Sequence, residues 1–494
     1  MRIPSYLLKL AVPALLLLVP SLGLAAAQGV PKLFPAQNAV GISPDTPLKL
    51  TFASPPVLGA SGKIQICETA TKAVVETIDV SSPTATKTIG GLPGFKYYPV
   101  IITGNEAAIF PKNGSLAYNK AYYVTIDPGT FTTAGEAHPG FTEAAPWRFN
   151  TKRKPPTTGS TELEVAADGT GEFCTVQGAL DFIPDGNTTP TTILIREGVY
   201  REIIFFTNKH AITLLGEDRR QTIITYPNNA NLNPSGGNPF AGSAPNPSAE
   251  APSGGNIYRR GMILAHHVND LTISTITLRN STPQGGSQAE ALILNGTPEA
   301  RAILKNVELY SFQDTLQING QAYLSGCVVE GDVDFMWGTG PCFFEDCTAR
   351  SVRSNGYYTQ IRNPATNHGY AFLHCTFEGS SGVKDNFFAR IAPGRFPASE
   401  VVLLDCILGA SIAPAGWLLE KNPAAPEAPI TPAQVHFWEY HSHTEAGAVI
   451  DVSQRLPASR QLKQPDDAAL IRDYSSPAYF LGHDWNPKQA LIFQ

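Results

Sequence analysis

From Leu271 onward, short apolar runs return along the chain in the same form. They are Leu271-Thr272-Ile273-Ser274-Thr275-Ile276-Thr277-Leu278, Ile303-Leu304-Lys305-Asn306-Val307-Glu308-Leu309, and Leu324-Ser325-Gly326-Cys327-Val328-Val329. Phe344-Glu345-Asp346-Cys347-Thr348, Phe372-Leu373-His374-Cys375-Thr376-Phe377 and Leu403-Leu404-Asp405-Cys406-Ile407-Leu408 continue the series. The equivalent residues Thr275, Asn306, Gly326, Asp346, His374 and Asp405 are 31, 20, 20, 28 and 31 positions apart. A short, inexact period with β-branched cores and no helical pattern between runs predicts a parallel β-solenoid. Intervals longer than 20 hold loops, which build binding surfaces on such scaffolds. Residues 28–152 have another texture. Pro47–Phe52, Lys63–Ile66, Tyr122–Ile126 and Trp147–Asn150 are β-rich runs between turn signals, and they predict an antiparallel sandwich.

Composition agrees with an all-β chain. The 494 residues include 43 glycines and 41 prolines, which favour turn-rich β structure. Charged residues make up 16% and the formal net charge is −6, with no Lys/Arg run on the mature chain, which excludes a nucleic-acid-binding role. Residues 1–27 read as an export signal: Arg2 and Lys9 open it, Leu10–Leu24 is apolar but broken by Pro13 and Pro20, and Ala25-Ala26-Ala27 offers small residues for cleavage. The expected location is therefore extracellular or periplasmic, with no membrane association after cleavage. Lys152-Arg153-Lys154-Pro155-Pro156-Thr157-Thr158-Gly159 reads as a linker. Residues 227–257 read as a long surface loop, either plain coil or a wall of a cleft, and 421–433 as a second Pro/Ala loop.

Candidate chemistry sits on the shortest repeat. Asp314, in Gln313-Asp314-Thr315-Leu316, and Asp334, in Asp334-Phe335-Met336-Trp337-Gly338, are 20 residues apart. Cys327 and Cys347 have the same separation. If the coil repeats every 20 residues here, each pair lies on neighbouring strands, about 4.8 Å apart. That places two carboxylates side by side, where one proton tends to be shared. It also permits a Cys327–Cys347 disulfide in an exported protein, with stacked free thiols as the alternative. His266-His267 and His441-Ser442-His443 lack companion ligands at metal spacing, so neither a metal nor another cofactor is expected.

The motifs taken together resemble a known family. Val165–Gln177, Gly198-Val199-Tyr200-Arg201-Glu202, Gln288-Ala289-Glu290-Ala291-Leu292, Gln313–Leu316, Gly331–Gly338, Pro414-Ala415-Gly416-Trp417 and Phe437-Trp438-Glu439-Tyr440 are similar, in this order, to segments of pectin methylesterases. The resemblance implies a right-handed parallel β-helix that hydrolyses methyl esters of homogalacturonan. It implies Asp334 as nucleophile, Asp314 as general acid and then base, and Gln288 and Gln313 as oxyanion donors. Arg390, in Phe388-Ala389-Arg390, takes the place of the arginine that hydrogen-bonds the nucleophile, with Arg395 as a competing alignment. The family's Leu-Gly-Arg-Pro-Trp is absent here, which bears on sugar subsites more than on chemistry. Trp337 and Phe335 are expected to line those subsites, with Trp417 either stacking on sugar or lying in the core. Phe34–Asp45 resembles the start of bacterial immunoglobulin-like accessory domains.

The expected organisation is a signal at 1–27, an immunoglobulin-like β-sandwich at 28–152, a linker at 153–160, the β-helix at 161–455 and a tail of unassigned role at 456–494. The expected protein is a secreted monomer acting on methyl-esterified homogalacturonan. A β-helix hydrolase for another ester or a thioester, and a non-catalytic polysaccharide-binding homologue, are the competing readings.

Overall fold

The structure, a computed structural model, describes residues 30–234, 236–237, 256–257, 259–421, 425–427, 435–482 and 484–490. The expected export signal, most of the 227–257 loop and most of the 421–433 loop lie outside the described residues. Among the described residues no helix is long and apolar enough to cross a membrane.

Residues 162–461 wind into a parallel β-helix. One face is an eight-stranded parallel sheet: Ile204–Thr207, Ile263–His266, Leu292–Asn295, Leu316–Ile318, Met336–Gly338, Tyr357–Ile361, Phe387–Ile391 and Trp417–Leu419. The remaining coil strands form a seventeen-stranded sheet. The pairing offsets reproduce the sequence intervals. Ile276 pairs with Val307, Val328 with Thr348, Thr348 with Thr376 and Thr376 with Ile407.

The recurring polar position in each run has a backbone cause. Thr275, Asn306, Gly326, Asp346, His374 and Asp405 all have φ between 50° and 61°, in the left-handed region. That conformation bends the chain at the coil corner, and Gly, Asn, Asp and His tolerate it best. It also splits some runs that read as one strand. Leu324–Val329 becomes the end of Gln321–Ser325 and the start of Val328–Gly331, with Gly326 at the bend. Between the sheets lies a stack of buried apolar side chains that includes Leu304, Leu324, Phe344, Phe372 and Leu403.

Cys327, Cys347, Cys375 and Cys406 stand in this stack as free thiols, so the expected Cys327–Cys347 disulfide is corrected. Besides meeting its neighbours in the stack, each thiol reaches a main-chain carbonyl: Cys327 donates to Leu304 at 3.4 Å and Cys347 to Glu345 at 3.3 Å. Burial pushes both thiols well above their ordinary pKa. The alternative reading of the spacing, a ladder of core thiols, is the one found.

The N-terminal block folds as packed antiparallel sheets around Leu48, Leu50, Ile64, Ile66, Val124 and Trp147, with one parallel pairing between Ala39–Ile42 and Trp147–Thr151. It seats directly on the first coil. The Ala85–Ile89 and Leu92–Tyr97 hairpin contributes Ile89, Leu92 and Phe95 to the β-helix core. Asp45 accepts hydrogen bonds from the Thr175 amide at 2.8 Å and its hydroxyl at 2.7 Å, at the start of the helix Val176–Phe182.

The tail also has a place. Helices Ala468–Tyr474 and Pro477–Phe480 lay Ile471, Tyr474 and Phe480 against Tyr323, Phe343 and Val402 on the outer face of the coil. Glu400 anchors them, accepting from Tyr474 at 3.0 Å and bonding the rings of His368 at 2.8 Å and His436 at 2.7 Å.

Candidate active site

Two short parallel strands position the acids. Leu316–Ile318 pairs in register with Met336–Gly338, Leu316 opposite Met336. Asp314 and Asp334 each stand two residues before their strand, so they share one corner on consecutive coils. Both occupy left-handed backbone, with φ of 67° and 50°, a strained state for a non-glycine residue that clusters at functional sites. The Asp314 amide donates to the Val333 carbonyl at 3.1 Å, which locks the two corners together. Gly338 closes the motif because its φ is 141° and an added Cβ would collide with the Ile318 carbonyl oxygen.

The two carboxyls have different partners. Arg390, on the strand Phe387–Ile391, donates to Oδ2 of Asp334. Oδ1 of Asp334 is buried without a hydrogen-bond partner. Arg390 also lies 4.5 Å from the Tyr357 ring and 3.7 Å from Glu420. Arg395 lies over Phe396, 5.2 Å from its ring. Asp314 is held through Oδ2 by Arg260 at 3.0 Å, and Arg260 simultaneously grips Glu290 at 2.6 Å.

Burial dominates both titrations. It pushes Asp334 up to about 6 in spite of the Arg390 guanidinium beside it. It pushes Asp314 well above the carboxylate range, assisted by the charges of Glu290 and Asp334 and opposed by Arg260 and Arg362. Two neighbouring acids whose surroundings separate their proton affinities are suited to opposite roles in acid–base chemistry. The more acidic, Asp334, keeps a free oxygen lone pair. The less acidic, Asp314, keeps a proton.

Gln313 immediately precedes Asp314, and its carbonyl accepts from the Ala289 amide at 3.1 Å, which ties it to the coil carrying Gln288. Both glutamines are half-buried at this corner. Oε1 of Gln288 accepts from the Ser287 hydroxyl at 3.1 Å. A carboxamide engaged through its oxygen still presents N–H donors.

Of the three expected sugar contacts, two lie elsewhere. Phe335 is 0% exposed and packs against Tyr358 in the core, with ring centres 5.2 Å apart. Trp417 is 1% exposed and stacks on Phe437 at 4.7 Å. Phe335 precedes its strand and turns inward just after the left-handed corner that Asp334 makes. For Trp417 the reason is strand alternation. Arg390 faces the site, so Ala389 and its register partner Trp417 face inward. Trp337 is at the site and mostly covered, with Arg362 at 5.1 Å and Arg260 at 5.5 Å from its ring.

Arg260, Glu290, Arg362 and Tyr357 were not assigned roles from the sequence. Glu290 lay inside a quoted motif. A charged residue placed, like Asp314, two positions before an apolar strand was the available signal.

The geometry can be set beside known proteins. A model of the family described as Pectinesterase matches residues 162–242 and 248–469, which is most of the β-helix and part of the tail. The chain belongs to the pectinesterase family. Pectinesterases are carboxylic ester hydrolases. Pectinesterase 31 of Arabidopsis thaliana is 28% identical over 311 residues, covering 62% of this chain and 89% of the relative. A pectinesterase of Ralstonia solanacearum is 28% identical over 281 residues, covering 50% of this chain and 70% of the relative. In structure the chain is similar to the pectin methylesterase from carrot, at a TM-score of 0.52 and 22% identity, over 68% of this chain and 97% of that one. This likeness extends the shared fold, a parallel β-helix, across almost the whole of the carrot enzyme.

Proposed function

We propose that this pectinesterase is secreted and hydrolyses methyl esters of homogalacturonan, with Asp334 as nucleophile. The observation that carries the reading is the asymmetry of the dyad: Asp334 has one oxygen held by Arg390 and one unpartnered, while Asp314 is the better proton holder. Oδ1 of Asp334 attacks the C6 carbonyl carbon of a methylated galacturonate, forming a C–O bond as the carbonyl π pair moves to oxygen. The amide N–H groups of Gln288 and Gln313 receive that oxyanion. Collapse breaks the bond to methoxy, and Asp314 gives its proton to the departing oxygen, so methanol leaves. The product on the enzyme is a mixed anhydride. Asp314, now a carboxylate, takes a proton from water as the water oxygen attacks the same carbonyl carbon. Asp334 departs as a carboxylate, the galacturonate acid is free and Asp314 is again protonated.

Trp337 and Arg362 form the wall beside the nucleophile and are assigned to the sugar contacts. Support for the substrate class comes from the family membership and from a pectin methylesterase structurally similar to this chain, at a TM-score of 0.50 and 23% identity, over 66% of this chain and 98% of that one, whose crystal structure is a complex with a hexasaccharide. Support for export comes from residues 1–27. The N-terminal block is assigned as an immunoglobulin-like accessory domain. The test is a comparison of methanol release from methylated homogalacturonan with hydrolysis of other alkyl esters and of thioesters by the mature chain. Preference for the methylated polymer supports the reading, and faster turnover of another ester class replaces its substrate.

A further inference from the structure

The reaction as drawn gives no role to the Arg260–Glu290 ion pair, although it is deeply buried against the acid. Glu290 is 0% exposed and the Arg260 side chain 11%. Arg260 holds Glu290 by a fork: Nε lies 2.9 and 3.0 Å from the two carboxylate oxygens, and Nη2 lies 2.6 Å from Oε1. The same Nη2 reaches Oδ2 of Asp314 at 3.0 Å.

Glu290 also belongs to the column of acids. It precedes Leu292 by two residues, as Asp314 precedes Leu316 and Asp334 precedes Met336, and these three strand residues are register partners in turn. Three acids therefore share one corner on three consecutive coils. An arginine stands at each end, Arg260 against the first two acids and Arg390 against the last.

A buried ion pair is weak as a stabilising device, because apolar side chains of similar volume often do as well. Its chemical effect here is large. A lone guanidinium 3.0 Å from Asp314 favours the carboxylate, which cannot protonate a leaving alcohol. A neutralised guanidinium still donates its hydrogen bond.

Resting on the esterase reading above, we propose that Glu290 is a positioning residue of the reaction: by neutralising Arg260, it lets that arginine hold the Asp314 carboxyl in place while the dyad's proton stays on Asp314. The charged groups facing Asp314 are Glu290, Arg260, Asp334 and Arg362. Two acids oppose two arginines, so deleting the charge of Glu290 tips the balance toward ionised Asp314.

Glu290→Gln tests this, since it keeps an oxygen for Arg260 and removes the charge. In full-length mature protein carrying 13C-carboxyl aspartate, the Asp314 resonance, assigned by its loss in Asp314→Asn, is followed against pH. Asp314 in E290Q is expected to lose its proton about one to three pH units below wild type. In the double variant Arg260→Gln/Glu290→Gln, neutral again, the midpoint is expected to return toward wild type, which a purely structural pair would not produce. The titration needs no substrate, so a wild type inactive on methyl esters would sink the esterase reading without changing what the titration says of Glu290 and Asp314. A folded E290Q with an unchanged Asp314 midpoint overturns the proposal. If E290Q does not fold, the double variant decides. A midpoint near wild type supports the proposal, and one displaced by more than about one pH unit overturns it. Failure of both variants to fold overturns it in favour of a structural ion pair.

Discussion

Arg390 donates to one oxygen of Asp334 and leaves the other, also buried, without a partner. The guanidinium lowers the proton affinity that burial raises, and Asp334 titrates at about 6 as a result. Replacing Arg390 by glutamine removes the charge that holds the nucleophile as an anion. Asp334 is then expected to titrate about one to three pH units higher. Because attack requires the anion, the acidic limb of kcat/KM moves to higher pH, and activity at pH 5 falls by about tenfold or more. An acidic limb left in place in R390Q contradicts this role.

The wild-type pH–rate profile is expected to be bell-shaped. Activity rises as the dyad loses its first proton, near pH 6, and falls at higher pH as it loses its second. The two limbs belong to the coupled pair and not to one residue each. A profile that climbs monotonically through the stable pH range is the contrary result.

Much of this site was legible before any coordinates. The interval of 20 that places Asp314 beside Asp334 is the length of one coil, and the same interval recurs because every coil needs a left-handed corner residue such as Asn306 or Gly326. Arg390 was assigned from three residues, and its guanidinium meets Asp334 in the structure. What escaped had physical reasons. Cys327 and Cys347 have the spacing of a disulfide and of stacked thiols alike, and spacing does not decide whether the bond closes. Trp417 follows from alternation once Arg390 is known to face outward, a phase the motifs do not carry, and Phe335 turns inward beside a left-handed corner that alternation does not describe. Arg260 follows the Asn/Pro/Gly-rich stretch 227–257, which carries no repeat, so nothing in its sequence position puts it next to Asp314. The tail read as opaque because its anchors, Tyr474 and Phe480, meet a sheet face assembled from coils roughly 70 to 160 residues away.

Ionised Asp334 also costs stability. Its proton affinity is higher in the folded state than in an unfolded chain, so folding is favoured at low pH and the benefit is lost as pH rises from about 4 through about 6. The shift from 3.8 to about 6 corresponds to up to about 3 kcal/mol at neutral pH. Asp334→Asn carries no such charge and is expected to be at least as stable as wild type at pH 7. A chemical-denaturation midpoint clearly below wild type contradicts this.

The tail is held by packing as well as by Glu400. Phe480 is 1% exposed and meets the Phe343 ring edge-on at 5.9 Å. Phe480→Ala is expected to cost about 3–5 kcal/mol of tail docking. Hydrogen exchange should show Ala468–Tyr474 losing protection while the strands Leu316–Ile318 and Met336–Gly338 keep theirs. Equal protection of the tail in both proteins would place its anchor elsewhere.

The most direct test of the central claim is methanol release from methyl-esterified homogalacturonan by wild type and by Asp334→Asn at the wild-type pH optimum. The account predicts sustained release by wild type and a loss of at least about a thousandfold in D334N, in a protein that remains folded. A folded D334N that retains release within about tenfold of wild type would show that the carboxylate of Asp334 does not form the bond to substrate.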